Sequence, residues 1–122
     1  MTATAPRIVC ISGGTSGIGA GLVAAFVEAG DRVVTFGRDP EKVAALAQQR
    51  SQAAHSGALR LLVGDVTHAD FRARLVAEIR DTDGRLDVLV NNAGYGLYGP
   101  VEEIGLDEAR YQFESMSSAP PA

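Results

Sequence analysis

The segment Ser12-Gly13-Gly14-Thr15-Ser16-Gly17-Ile18-Gly19 packs four glycines into eight residues. Glycines at this density let a backbone turn tightly and approach a ligand, and amides at a helix start point their N–H groups at an anion. The chemistry that follows is diphosphate binding. Arg38 stands directly after Gly37, where a guanidinium can make charge-assisted bonds to a phosphate worth about 1.5–3 kcal/mol. Asp39 comes next, and a small shift of the loop would offer its carboxylate to a sugar hydroxyl instead. Two further polar segments, Asp65-Val66-Thr67 and Asn91-Asn92-Ala93-Gly94, are candidates for ligand contact, the alternative being that Asp65 merely caps a helix and the Asn-Asn pair merely turns the chain.

The elements that must position these groups alternate in type. Residues 7–12 contain Ile8, Val9, Cys10 and Ile11, a continuous apolar run that reads as a strand buried on both faces. Residues 17–29 place Ile18, Leu22, Ala25, Phe26 and Ala29 at helical spacing, with Gly30 as a stop. A β-branched strand over 32–36 is followed by Asp39-Pro40-Glu41, which opens a helix reaching about residue 54, with Val43, Leu46 and Ala47 inward. A third strand spans 58–63, with Arg60 its one interruption, and a third helix runs from 67 or 68 to about 81 with Phe71, Leu75 and Ile79 at steps of four. Leu86 to Val90 make a fourth strand, and a fourth helix is expected from Glu102 to Glu114.

Strands that alternate with helices form a parallel sheet, and right-handed crossovers limit its topology. The expected class is α/β: a Rossmann-like parallel sheet of strand order 3-2-1-4 with helices on both faces, the first two on one and the third on the other. Its ligand site lies at the carboxyl ends of the first and fourth strands, where the order reverses.

Composition narrows the partners. One domain is expected from 122 residues, with 46% hydrophobic and 21% charged content arguing for a packed core and against disorder. A net charge of −4 argues against nucleic acid or an anionic membrane surface. The single cysteine, Cys10, excludes an internal disulfide, and two histidines make a zinc site hard to assemble. The start of the chain carries no basic cluster followed by an apolar run, and no stretch of 18 apolar residues occurs, so a cytoplasmic protein is expected. His55 and His68 read as solvated helix ends, Cys10 as a small core residue, and Arg72, Arg74, Glu78 and Arg80 as a solvated helix face.

Together the motifs resemble the short-chain dehydrogenase/reductase family over roughly residues 7 to 114. Ser12-Gly13-x-x-x-Gly17-Ile18-Gly19 is similar to its Thr-Gly-x-x-x-Gly-x-Gly loop with Ser12 in place of Thr, Gly64-Asp65-Val66-Thr67 is similar to its adenine-contacting segment, and Asn91-Asn92-Ala93-Gly94 matches its Asn-Asn-Ala-Gly motif. The resemblance implies a dinucleotide held by Ser12, Gly13, Thr15, Ser16, Gly17, Ile18, Gly19, Arg38, Asp65, Val66, Asn91, Ala93 and Gly94. Asp65 would accept from the adenine amine, Val66 would supply backbone contacts, Asn91 would brace the fourth strand, and Ala93 and Gly94 would lie near the ribose. Gly37 stands at the end of the second strand, where a carboxylate would select NAD, and Arg38 next to it points to NADP as the cofactor, with NAD second.

The family's reaction is hydride transfer between nicotinamide and a carbonyl or alcohol, and it uses a tyrosine whose pKa is lowered by a lysine four positions later. Four positions after Tyr95, Tyr98 and Tyr111 stand Gly99, Glu102 and Ser115, and the only lysine is Lys42. The chain therefore reads as a cofactor-binding half, with three open roles: an oxidoreductase completed by another chain, a non-catalytic dinucleotide-binding module, or a decayed product. Residues 115–122 (Ser-Met-Ser-Ser-Ala-Pro-Pro-Ala) depart from the family's pattern, which continues with Asn-Val; one codon assignment read in a shifted frame restores Asn-Val, so a frameshifted tail is expected. Such a chain would leave its fourth strand as an exposed edge, prone to association or aggregation and marginal in stability. The loop from Tyr95 to Pro100 resembles that of members acting on lipophilic alcohols or ketones.

Overall fold

Ile8 to Ser12 are buried without a break, which is what a central parallel strand with both faces covered requires. The computed structural model describes residues 6–15 and 17–90, and the backbone of 101–102. In it this strand, β1 (Ile8–Ser12), pairs in parallel with β2 (Arg32–Gly37) on one side and β4 (Val88–Val90) on the other. β3 (Leu59–Val63) pairs in parallel with β2, which gives the expected order β3-β2-β1-β4.

The strand alternation distributes the core as expected. Val9, Ile11, Val33 and Leu59 face Val23 of α1 (Gly17–Glu28) and Leu46 of α2 (Pro40–Gln49). Ile8, Cys10, Val34 and Phe36 face Phe71, Leu75 and Ile79 of α4 (Ala69–Asp83) on the opposite side. Phe36 and Phe71 meet edge to face, with ring centroids 5.2 Å apart.

Four expectations are corrected. β4 is not an edge strand: β5 (Val101–Glu102) pairs with it antiparallel, Leu89 opposite Glu102 and Val90 opposite Val101. Glu102 is thus a strand residue, not a helix start, and the outer side of β4 is paired at Leu89 and Val90. Val88, Leu89 and Val90 are each only 2% exposed, so the exposed apolar edge expected there does not form. Second, α1 turns inward along Gly19 and Val23, with Leu22 and Phe26 half-buried, while Ile18 is 49% exposed and Ala25 and Ala29 are exposed. Val23 packs on Val9, Ile11 and Val33 of the sheet and lies close over Gly14 of the preceding loop, which turns this face of the helix inward. Third, the second helix breaks at Arg50 (φ −118°, ψ 43°), giving α2 and a short α3 (Ser51–Ser56) that ends at left-handed Gly57.

The fourth correction concerns Arg60. It lies on the α4 side of β3, bonded to Glu78 at 2.8 Å and to Asp83, whose side chain is 1% exposed. The strand's polar interruption and Glu78, whose side chain is 38% exposed, are therefore two parts of one ion cluster, while Arg74 and Arg80 are exposed as expected. Arg72 and Arg74 are also engaged, donating to the carbonyls of Val66 and Val63.

The amino ends of the strands are tied by charge. Arg7 makes two bonds to Asp31, at 3.0 and 2.9 Å, and Asp87 accepts from the Ile8 amide at 2.7 Å and from Arg85 at 3.0 Å. Arg85 also donates to the Pro6 carbonyl, closing the set.

Candidate functional site

At the opposite, carboxyl end of the sheet, β1 runs into the glycine loop. Gly13 adopts φ +68° and Gly17 φ +58°, left-handed conformations that a side chain would strain. Gly14 has a different reason to be glycine. A Cβ there would sit 2.1 Å from Thr35 Oγ1 and 2.8 Å from Val23 Cγ2, so the loop backbone lies directly on β2 and α1.

Thr35 is the residue that sequence reasoning missed. Fully buried in β2, its hydroxyl donates to the Ile11 carbonyl at 2.7 Å and accepts from the Gly14 amide at 3.1 Å. One oxygen thereby fixes the loop to the strand below it. Its sequence signal, a single threonine in a β-branched strand, is indistinguishable from ordinary strand propensity. Ser12, also fully buried, donates to the Val90 carbonyl at 3.4 Å and so links the tips of β1 and β4.

Past Gly14, Thr15 packs over the end of β2 against Gly37. Gly17, exposed, and Ile18 begin α1, whose first turn carries no acidic residue to offset the positive end of the helix dipole. Gly19 is buried beneath them within α1.

The tips of β2 and β3 are joined beyond the ladder by the Gly64 amide donating to the Gly37 carbonyl at 2.9 Å. That bond sets Arg38 and Asp65 on neighbouring strand ends. Gly64 lies under Phe71, with the ring 2.0 Å from where a Cβ would be. The amide and hydroxyl of Thr67 both donate to Asp65 Oδ1, at 2.9 and 2.8 Å. These bonds hold the Asp65 carboxyl below the ordinary carboxylate range, with smaller help from His68 and Arg38. Asp65 is therefore a fixed anion. It does not cap α4, whose first turn is preceded by His68. Val66 is half-buried against the α4 core, and its carbonyl accepts from Arg72 at 2.9 Å.

Asp39 is committed elsewhere. Its Oδ1 accepts from the Glu41 amide at 2.9 Å and caps α2, with Pro40 at the first turn. Arg38 is exposed beside it, and among the described residues no ion pair joins the two. An open depression of about 650 Å³ adjoins Asp65, between Val63, Phe71 and Arg74, but none of its lining residues belongs to the glycine loop.

Of the expected site residues, the fold thus brings Ser12, Gly13, Thr15, Gly17, Ile18, Gly19, Arg38, Asp65 and Val66 to one rim of the sheet. Ser16, Asn91, Ala93 and Gly94 lie outside the described residues. A dinucleotide fits what is present. Glycines leave the loop backbone bare, the first turn of α1 holds no acidic residue, and one cation and one fixed carboxylate stand on the neighbouring strand tips.

Comparison with known proteins agrees. The family model for short chain dehydrogenase matches residues 7–118. The chain is 42% identical over 94 residues to the L-fucose dehydrogenase of Bos taurus and 36% identical over 104 residues to the glucose 1-dehydrogenase of Gluconobacter oxydans, covering 77% and 85% of this chain. It spans only 33% and 39% of those relatives' lengths. The NADPH-bound short chain oxidoreductase of Pseudomonas aeruginosa, described as having an atypical catalytic center, superposes with a TM-score of 0.67 at 33% identity, over 74% of this chain and 35% of that one. No helix among the described residues is long and apolar enough to cross a membrane. A glycine loop clamped to a 3-2-1-4 parallel sheet, matched over most of its length by the family's model, makes this chain a member of the short-chain dehydrogenase/reductase family.

Proposed function

We propose that this chain binds NADP(H) as the dinucleotide-binding part of an oxidoreductase. The observation that carries the cofactor preference is at the β2 tip: both charges are exposed, but Asp39 Oδ1 is held by the Glu41 amide in the α2 cap, while Arg38 has no ion-pair partner among the described residues. A guanidinium there suits a 2′-phosphate, and the Asp39 carboxylate is oriented by its bond to the α2 cap. The amides around Gly13 and Gly17 would take the diphosphate, and Asp65 Oδ2, the oxygen not used by Thr67, would accept from the adenine amine. Ser12, Thr15, Ser16, Ile18, Gly19, Val66, Asn91, Ala93 and Gly94 complete the proposed contact set. When bound, the cofactor would give hydride to a carbonyl or take it from an alcohol. NADPH in the Pseudomonas structure supports this reading.

Titration of the full chain with NADPH and NADH tests it. Arg38→Ala should weaken NADPH by about 10- to 100-fold, the equivalent of about 1.5–3 kcal/mol, and leave NADH nearly unchanged. Equal loss for both dinucleotides, or a wild-type chain that binds neither, would refute it.

A second reading is favoured by one sequence fact: none of the three tyrosines has a lysine four positions on. In that reading the chain binds NADP(H) without turning it over. NADPH binding without oxidation in the presence of carbonyl compounds supports it, and steady turnover excludes it.

A further inference from the structure

We infer that Thr15 and Gly37 form one steric unit that determines which dinucleotide the site accepts, by closing the β2 tip to any side chain at position 37. This rests on the dinucleotide-binding reading and adds the source of its specificity. A Cβ on Gly37 would lie 2.8 Å from Cγ2 of Thr15, 2.8 Å from its Oγ1 and 3.4 Å from its Cβ.

Rotation of Thr15 does not relieve this. A threonine fills two of its three staggered χ1 positions with heavy atoms, and the two positions now filled both point at Gly37. Any other rotamer keeps at least one of them filled. Only a shift of the loop backbone makes room, and that backbone is held by the Gly14 amide on Thr35 at 3.1 Å. Strand ends of this kind carry the carboxylate that selects a ribose 2′-hydroxyl. Here no carboxylate fits while Thr15 is present, so recognition passes to the next residue, Arg38, and to a phosphate. Thr15→Ala removes both γ atoms and leaves only the 3.4 Å Cβ approach, an ordinary contact.

The test is a double-mutant cycle on the full chain, read by thermal midpoint and by fluorescence titration with NADPH and NADH. Gly37→Ala should lower the midpoint by several degrees and weaken NADPH by about tenfold. In the Thr15→Ala background the same substitution should cost less than half as much in both readouts. Gly37→Asp alone should weaken both dinucleotides, whereas Thr15→Ala/Gly37→Asp should move the NADPH-to-NADH preference by at least about tenfold toward NADH relative to the wild type. A Gly37→Ala chain with wild-type midpoint and affinity, strictly additive losses, or a preference switched by Gly37→Asp alone would overturn the inference while leaving NADP(H) binding intact. A wild-type chain that binds neither dinucleotide would overturn both. Should Gly37→Ala fail to fold, folding of the double variant still reports the coupling, and its failure too would count against it.

Discussion

The oxygen of Thr35 occupies the place where a side chain on Gly14 would have to go, 2.1 Å from the ideal Cβ position, and binds the Gly14 amide from there. Shape and hydrogen bonding thus act through one atom, and the loop cannot be lifted without exposing both the amide and the hydroxyl.

Thr35→Val keeps the volume and removes both bonds. The buried Gly14 amide then lacks its partner, at a cost of about 1–3 kcal/mol. We expect a lower urea midpoint and weaker NADPH binding for Thr35→Val, with Thr35→Ser close to wild type. An unchanged midpoint in the valine variant would show that the loop is held by something else.

Arg60→Leu should be among the most damaging single changes in the sheet. It leaves Asp83, 1% exposed, as a buried charge with one partner fewer, and breaking such a pair typically costs about 3–5 kcal/mol. Replacing both residues, Arg60→Leu with Asp83→Leu, should recover most of that loss because no charge is stranded. Calorimetry on the three proteins distinguishes this from simple additivity.

Burial pushes the Cys10 thiol up to about 12, the nearby Arg60 charge offsetting only part of it. With almost no thiolate at neutral pH and no exposed surface, Cys10 should resist iodoacetamide in the native protein and react fully in denaturant. Fast labelling under native conditions would mean that β1 opens readily.

Acid should loosen the fold from its tied end. Burial of Asp87 favours its neutral form, but the Ile8 amide, Arg85 and Arg7 outweigh it and hold the carboxyl below its ordinary value. A carboxyl depressed in the folded state stabilises above the unfolded pKa of about 3.9, and that contribution is lost as pH falls through the lower, folded value. Asp87→Asn should therefore lower the urea midpoint at pH 6 and flatten its decline from about pH 5 downward. A variant whose midpoint falls as steeply as the wild type's would assign the acid sensitivity to other groups, Asp65 first among them.

The parallel strands and the glycine loop were legible because their signals are local. Apolar runs such as Ile8-Val9-Cys10-Ile11 end in glycines, and Asp39-Pro40-Glu41 announces a capped helix. What escaped depends on contacts across the fold. The break at Arg50 interrupts a run of good helix formers with no glycine or proline to mark it. Arg60 looked like a flaw in a strand because its partners lie 18 and 23 residues away. The clamp by Thr35 needed the loop and the strand, 21 residues apart, to be seen together. Val101 and Glu102 carry too short a pattern to separate a strand from a helix start.

The two rims of the sheet are built for different lifetimes. Pro6, Arg7, Ile8, Asp31, Arg85 and Asp87 stitch the amino rim with charged bonds between distant parts of the chain, whereas at the carboxyl rim the glycine loop itself is held by the hydroxyls of Thr35 and Ser12, the charged bonds there lying on the β3 side. Fluctuations that expose amides to deuterium should accordingly begin at the loop and die out toward the stitched side. A ligand settling on the loop would slow exchange where it is fastest and leave the rest of the sheet unaltered, so the molecule can tighten around its guest without repacking its interior.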